Sequence, residues 1–182
     1  MAAIIARVGP CTLEPESQGF VTLVDSIVSQ QISVKAANAI MARITALVGE
    51  VTPEQLLRRT PEELRAVGLS NQKARYVLDL AAHVADGRID LAAFPQCDDD
   101  TIVAQLTAVK GIGRWTSEIY LIFALGRLDV LPADDLGLQQ AAQQAFGLDH
   151  VPKSVELRLI GESWRPYRTI ASWYLWRSRR MV

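Results

Sequence analysis

Between Leu106 and Leu138 the chain reads LTAVKGIGRWTSEIYLIFALGRLDVLPADDLGL. Its most constraining feature is a tight turn, Val109-Lys110-Gly111-Ile112-Gly113, set between two segments of helical period. Ile102, Val103 and Leu106 precede the turn, and Ile119, Ile122 and Phe123 follow it, each set spaced to share one helix face. Glycine tolerates positive φ, so Gly111 and Gly113 permit a reversal that other residues resist. Ile112, between them, can plug the gap between the two helices.

A helix that starts at Gly113 or Arg114 leaves its first N–H groups unpaired and partially positive. Such a turn can grip a phosphate through the main chain alone. It can equally be an αα-corner that binds nothing. Read as a motif, it is a helix-hairpin-helix.

The rest of the chain is punctuated in the same helical style. Residues 1–16 read as irregular, with Gly9, Pro10 and Pro15 as breakers. Ser17 can cap a helix that ends near Ser29-Gln30-Gln31, and Ser33 the next, which stops at Gly49. Thr52-Pro53 and Thr60-Pro61 each read as an N-cap followed by proline at the first helical position. Ser70 begins a helix through Ala85, with Ala74, Val77, Leu78, Ala81 and Ala82 buried. Lys73 and Arg75 on that helix read as surface charge. Asp98, Asp99 and Asp100 form the acidic first turn of the helix that enters the hairpin. After Gly126 and Pro132, a helix follows Asp135 to about Phe146, and a short one covers residues 153–163. A last helix runs from Trp164 to Arg180, with Pro166 in its first turn. No β alternation of useful length occurs, so the fold expected is all-α, two small helical lobes with a cleft between them.

Charge narrows the partners. The chain carries a net charge of −1 and so is not a polycation that coats DNA. Residues 151–182, however, hold seven basic side chains against two acidic ones. That run serves either as a phosphate-facing surface or as a solvated helix face. Cys11 and Cys97 lie in no metal or redox spacing, which fits a reducing cytoplasm. His83 and His150 stand far apart with no cysteine nearby, so no zinc site is expected. No apolar run is long enough to span a membrane.

The string GIGRWTSEIYLIFALGRLDVLPADD closely resembles the helix-hairpin-helix-GPD superfamily of DNA glycosylases, and most nearly its AlkA-type 3-methyladenine branch. IVSQQISVKAA, GLSNQKARYVLDLA and WRPYRTIASWYLWR extend the resemblance from about Val21 to Arg177. It implies one glycosylase domain over 1–182, in two helical lobes, without the extra N-terminal β-containing domain of longer relatives. It implies that the partner is double-stranded DNA with alkylated bases, met by a monomer that is nucleoid-associated if bacterial. DNA contacts are implied at Gln30, Gln31, Val109, Gly111, Gly113, Arg114 and Thr116. The Gln30–Gln31 loop would enter the minor groove and fill the hole left by an everted nucleotide. Relatives often place an apolar wedge where this chain has Gln31, which is a departure. No cofactor or metal is required, although a Na⁺ or K⁺ at the turn carbonyls is plausible by resemblance. Two cysteines exclude the [4Fe–4S] cluster of the related endonuclease III branch.

The same resemblance makes Asp135 the catalytic aspartate, because it is the one followed directly by the apolar residues of the next helix. An aspartate before a helix is also an ordinary cap, and the two roles are compatible. An ionised carboxylate is what N-glycosidic cleavage needs, since the sugar develops oxocarbenium character. Trp115 and Trp176 match positions that line the base pocket, where an indole face would stack on a cationic alkylated purine. Bifunctional relatives carry a nucleophilic lysine where Trp115 stands, so this chain is expected to use water. The expected activity is thus excision of alkylated bases in base excision repair. The alternatives are a non-catalytic helix-hairpin-helix DNA-binding protein and a glycosylase for deaminated or mismatched bases.

Overall fold

The computed structural model describes residues 1–15 and 19–179 and contains no strand among them. Its helices are α1 (Ala2–Val8), α2 (Gly19–Ser29), α3 (Val34–Val48), α4 (Pro53–Leu57), α5 (Pro61–Ala66) and α6 (Asn71–Ala85). They continue with α7 (Asp99–Thr107), α8 (Arg114–Phe123), α9 (Leu136–Phe146), α10 (Ser154–Gly161) and α11 (Arg168–Arg179). Single 3₁₀ turns occupy Phe94–Gln96 and Glu162–Trp164. The chain forms two compact units, one of Glu16–Tyr120 and one of Met1–Pro15 with Leu121–Val182. No helix among the described residues is long and apolar enough to cross a membrane.

Side-chain caps set most helix starts. Ser33, Thr52, Thr60, Ser70, Asp98 and Asp135 each accept a hydrogen bond from the N–H three residues on. Thr60 and Glu63 complete a reciprocal capping box. The expected Ser17 cap and Arg180 lie outside the described residues.

In the unit of residues 16–120, α6 is the central strut. α2, α4 and α5 all pack on it. Its buried face is Ala74, Val77, Leu80, Ala81 and His83, whereas Leu78 and Ala82 are only half-buried. The face is thus rotated slightly from the expected one. His83 can be buried because Nδ1 meets the Asp79 carbonyl at 2.8 Å and Nε2 meets Arg88 at 2.9 Å.

The other unit joins both flanks of the chain. α11 packs on α9 and on α1, with Ile4, Leu138, Leu157, Trp173 and Leu175 in one cluster. The irregular start expected for residues 1–16 is corrected by α1. Gly9, at φ 86°, ends that helix instead of preventing it. The Tyr174 hydroxyl donates to the Gly9 carbonyl at 3.0 Å and holds the segment down.

The last helix starts at Arg168, not at Trp164. Residues 162–164 form the 3₁₀ turn, and Pro166, which has no N–H, stays outside the helix. Asp129 meets the new start from a distant loop. Its Oδ1 accepts from Arg168 N at 3.4 Å and Arg168 Nε at 2.7 Å, and its Oδ2 from Arg165 Nη1 at 2.8 Å. Burial pushes the Asp129 carboxyl up, but hydrogen bonds and charge from Arg168, with charge from Arg165, outweigh it and hold it below the ordinary value. Two of the seven basic residues in this region are therefore internal ties.

Candidate active site and nucleic-acid interface

Asp135 sits where a loop becomes α9. Its N–H donates to the Pro132 carbonyl at 2.9 Å, and Gln139 Nε2 donates to the Ala133 carbonyl at 2.7 Å, which fixes the loop. Asp135 Oδ1 then accepts two hydrogen bonds, from Leu138 N at 2.6 Å and from Trp176 Nε1 at 3.0 Å. The first is the helix cap; the second comes from α11. The Trp176 ring stacks on Phe123, with centroids 5.9 Å apart and planes 25° apart. Phe123, Trp173, Trp176, Arg177 and Arg179 line a cavity of about 590 Å³. Asp135 borders this space through the indole it shares.

Gly137 makes the arrangement possible. A Cβ there would lie 3.0 Å from Asp135 Oδ1 and 3.1 Å from Arg179 Nη1, tighter than ordinary contact. Arg179 Nη1 donates to the Gly137 carbonyl at 3.3 Å, and Arg177 lies over the Trp173 ring, 5.2 Å from its centroid. The neighbouring aspartate is used differently. Asp134 accepts from the Ser154 hydroxyl and pairs with Arg158 at 3.5 Å, so it serves α10.

The hairpin belongs to the unit of residues 16–120, and its two glycines have different reasons. Gly111 has φ 87°, and a Cβ on it would overlap the Tyr76 ring. Gly113 is not in the left-handed region, and a Cβ there would meet nothing within 4 Å. The expectation that both glycines serve the reversal holds for Gly111 alone. At Gly113 the bare backbone leaves open space outside the fold. Its carbonyl accepts from Ser117 N at 3.0 Å and so begins α8. Lys110 N donates to Asp79 Oδ2 at 2.8 Å and Ile112 N to the Val109 carbonyl at 3.1 Å. The N–H groups of Gly111 and Gly113 find no acceptor among the described residues.

The other expected contact residues are spread over this unit. Val109 is 1% exposed and Thr116 is 4% exposed, so their side chains offer a partner almost no surface. Arg114 keeps an exposed guanidinium while Nε holds the buried Glu118 at 2.9 Å. Trp115 is 40% exposed on α8. Gln30 turns inward, its Nε2 donating to the Gly111 carbonyl at 2.8 Å, and Gln31 takes φ 57° on the surface.

A family profile described as HhH-GPD superfamily base excision DNA repair protein matches residues 24–166. The chain belongs to the HhH-GPD superfamily. Among its relatives is the alkylbase DNA glycosidase-like protein mag2 of Schizosaccharomyces pombe, 34% identical over 96% of this chain and 85% of the relative. The crystal structure of a DNA-3-methyladenine glycosidase from Bacillus halodurans is 41% identical, with a TM-score of 0.89, and the match covers 97% of this chain and 82% of that one. The 3-methyladenine DNA glycosylase Mag1 of Schizosaccharomyces pombe, solved in complex with abasic DNA, is 32% identical with a TM-score of 0.88. That match covers 98% of this chain and 90% of that one.

Within this HhH-GPD chain several working residues escape the sequence. The Trp176–Asp135 bond spans 41 positions, and no local pattern announces it. Lys73, read as surface charge, is partly buried and donates from Nζ to the carbonyls of Val28 at 2.7 Å and Gln30 at 2.6 Å. Asp79, on the partly buried side of α6 beside Arg75 and His83, gave no signal, and it holds the hairpin amide of Lys110.

Proposed function

We propose that this protein is a monofunctional DNA glycosylase that everts alkylated purines from duplex DNA and hydrolyses their bond to deoxyribose. The observation that carries the reading is Asp135: a carboxylate at a helix N-terminus, held by an indole N–H that also walls an aromatic cavity. A helix start favours the ionised carboxylate by roughly 0.3–1 kcal/mol. Trp176 and Leu138 fix Oδ1, so the negative charge is oriented before the reaction begins. As the glycosidic bond lengthens, the base departs with the bonding electron pair and the sugar becomes cationic. The carboxylate stabilises that cation and orients the attacking water, whose proton it can accept.

An N3- or N7-alkylated purine already carries the charge that makes it leave, so no general acid is needed. The aromatic wall suits such a base. Base–aromatic stacking is worth roughly 1–3 kcal/mol. The fit of a cation on this wall is illustrated by Arg177 on Trp173. Arg179, at the same cavity, suits a phosphate flanking the everted nucleotide. The cavity and carboxylate come from one unit of one chain, so a monomer suffices.

The hairpin supplies the grip. Free N–H groups at Gly111 and Gly113 meet a phosphate without reading sequence, and the Gln30–Gln31 loop enters the stack where the damaged nucleotide has left. A Na⁺ or K⁺ at the turn carbonyls would strengthen that grip. A reducing, DNA-containing compartment suits this reading, since Cys11 and Cys97 lie in no metal or redox spacing.

The deciding experiment is base release from methylated duplex DNA, with Asp135→Asn alongside. Release of 3-methyladenine and 7-methylguanine by the wild type alone supports the proposal. Duplex binding with no release would make the chain a DNA-binding module with Asp135 as a cap. Preferential release of uracil or hypoxanthine would make it a glycosylase for deaminated bases.

A further inference from the structure

The loop after α2 contains a residue in an unfavourable backbone conformation. Gln31 has φ 57°, a region that residues with a Cβ seldom adopt. Nothing in its own side chain requires this, because Gln31 is exposed. The cause lies one residue earlier. The carbonyl of Gln30 belongs to the peptide plane that defines φ of Gln31, so whatever holds that oxygen holds Gln31.

Lys73 holds it. Its ammonium donates to the Gln30 carbonyl at 2.6 Å and to the Val28 carbonyl at 2.7 Å, from the first turn of α6. Burial lowers the Lys73 pKa from its ordinary value, as expected for a desolvated cation. The side chain of Gln30 extends the tie, since its Nε2 donates to the Gly111 carbonyl at 2.8 Å. Gly111 rests on the Tyr76 ring, and the Tyr76 hydroxyl accepts from Gln72. These side chains surround a polar cavity of about 250 Å³. The loop and the hairpin turn are therefore one braced assembly within the unit of residues 16–120.

We propose that Lys73 is a positioning residue for base removal: it locks the Gln30–Gln31 peptide plane against the hairpin turn, so that Gln31 is preset in the pose that enters the duplex. This rests on the reading above that the loop inserts into DNA. A C-cap glycine would end α2 without any lysine. The ammonium adds a fixed direction for the next side chain and a mechanical link to the phosphate grip.

The test is fluorescence of 2-aminopurine placed beside a stable abasic analogue in duplex DNA, which brightens when it is unstacked. It needs no catalysis. With protein at saturation, wild type and Lys73→Arg should raise the signal. Lys73→Met should bind this duplex with similar affinity yet give less than half the rise. Its single-turnover release from methylated duplex should fall by about a hundredfold, the scale expected of a misplaced group. Should Lys73→Met melt early, Lys73→Gln is read in its place with the same expectation. A full rise in either neutral variant, beside a normal wild-type rise, overturns the role of Lys73 alone. Wild-type binding with no rise overturns loop insertion and this role with it.

Discussion

At the scale of single residues, the proposed function assigns the chemistry to Asp135 and its aim to Trp176, whose indole N–H donates to Oδ1. Asp135→Asn keeps the cap geometry but removes the charge, so binding to damaged duplex should persist while release falls roughly 10²–10³-fold. Asp134→Asn should be milder, because that residue serves Ser154 and Arg158. Trp176→Phe separates two jobs. The ring can still stack on Phe123, but the hydrogen bond to Oδ1 is lost. A hydrogen bond to a charged group is worth about 1.5–3 kcal/mol, so single-turnover release should fall roughly ten- to hundredfold. A fall in binding with unchanged turnover would mean that the indole only stacks. The capping role of Asp135 was legible from its place before an apolar helix start. The Trp176 contact was not, because its partner is a different helix and only packing brings the two together.

At the scale of elements, the hairpin and the last helix give opposite tests. Gly113→Asp meets open space, so the protein should melt as wild type does. It should bind every duplex more weakly, with a salt slope shallower by about one phosphate. Gly111→Ala meets the Tyr76 ring at positive φ. It should lose stability by at least the roughly 1–3 kcal/mol of a strained backbone, at about 2–4 °C of Tm per kcal/mol. Asp129 provides an acid test. Its carboxyl is held below the ordinary value in the folded state, so the stability it adds is full above that value. It is lost as the pH falls from about 4 through the folded pKa. The Tm advantage of wild type over Asp129→Asn should therefore shrink towards low pH. Helix starts with a side-chain cap were readable because a cap acts three residues away. The start of α11 was not, since its acceptor, Asp129, lies 39 positions upstream. The helix at Ala2–Val8 was hidden because its stability comes from docking, which a breaker count cannot register.

At the scale of the whole molecule, the product and the base preference are the observables. Trp115 offers no amine, so wild type should leave an intact abasic strand, and borohydride should trap no covalent adduct. Release should favour 3-methyladenine and 7-methylguanine over hypoxanthine, uracil and 8-oxoguanine, with Trp115→Ala and Trp176→Ala narrowing the margin. The all-α class and the hairpin were plain from periodicity and punctuation. The division into two units was only half legible, because a lobe assembled from both flanks of the chain leaves no boundary in composition.

That division also dictates an order of events during synthesis. Residues 19–120 are contiguous and can collapse while the ribosome is still adding the rest. α1 cannot, because Gly9 must wait for Tyr174, 165 positions later. For most of translation this apolar segment, with Ile4 and Ile5, has no partner and is open to chaperones or to another nascent chain. The carboxylate is in the same position, since Asp135 is aimed only once Trp176 has emerged. On the proposed function, a nascent chain thus acquires its duplex grip well before its chemistry, and a ribosome stalled between α9 and α11 would display a DNA-binding surface with no means of cutting out a base.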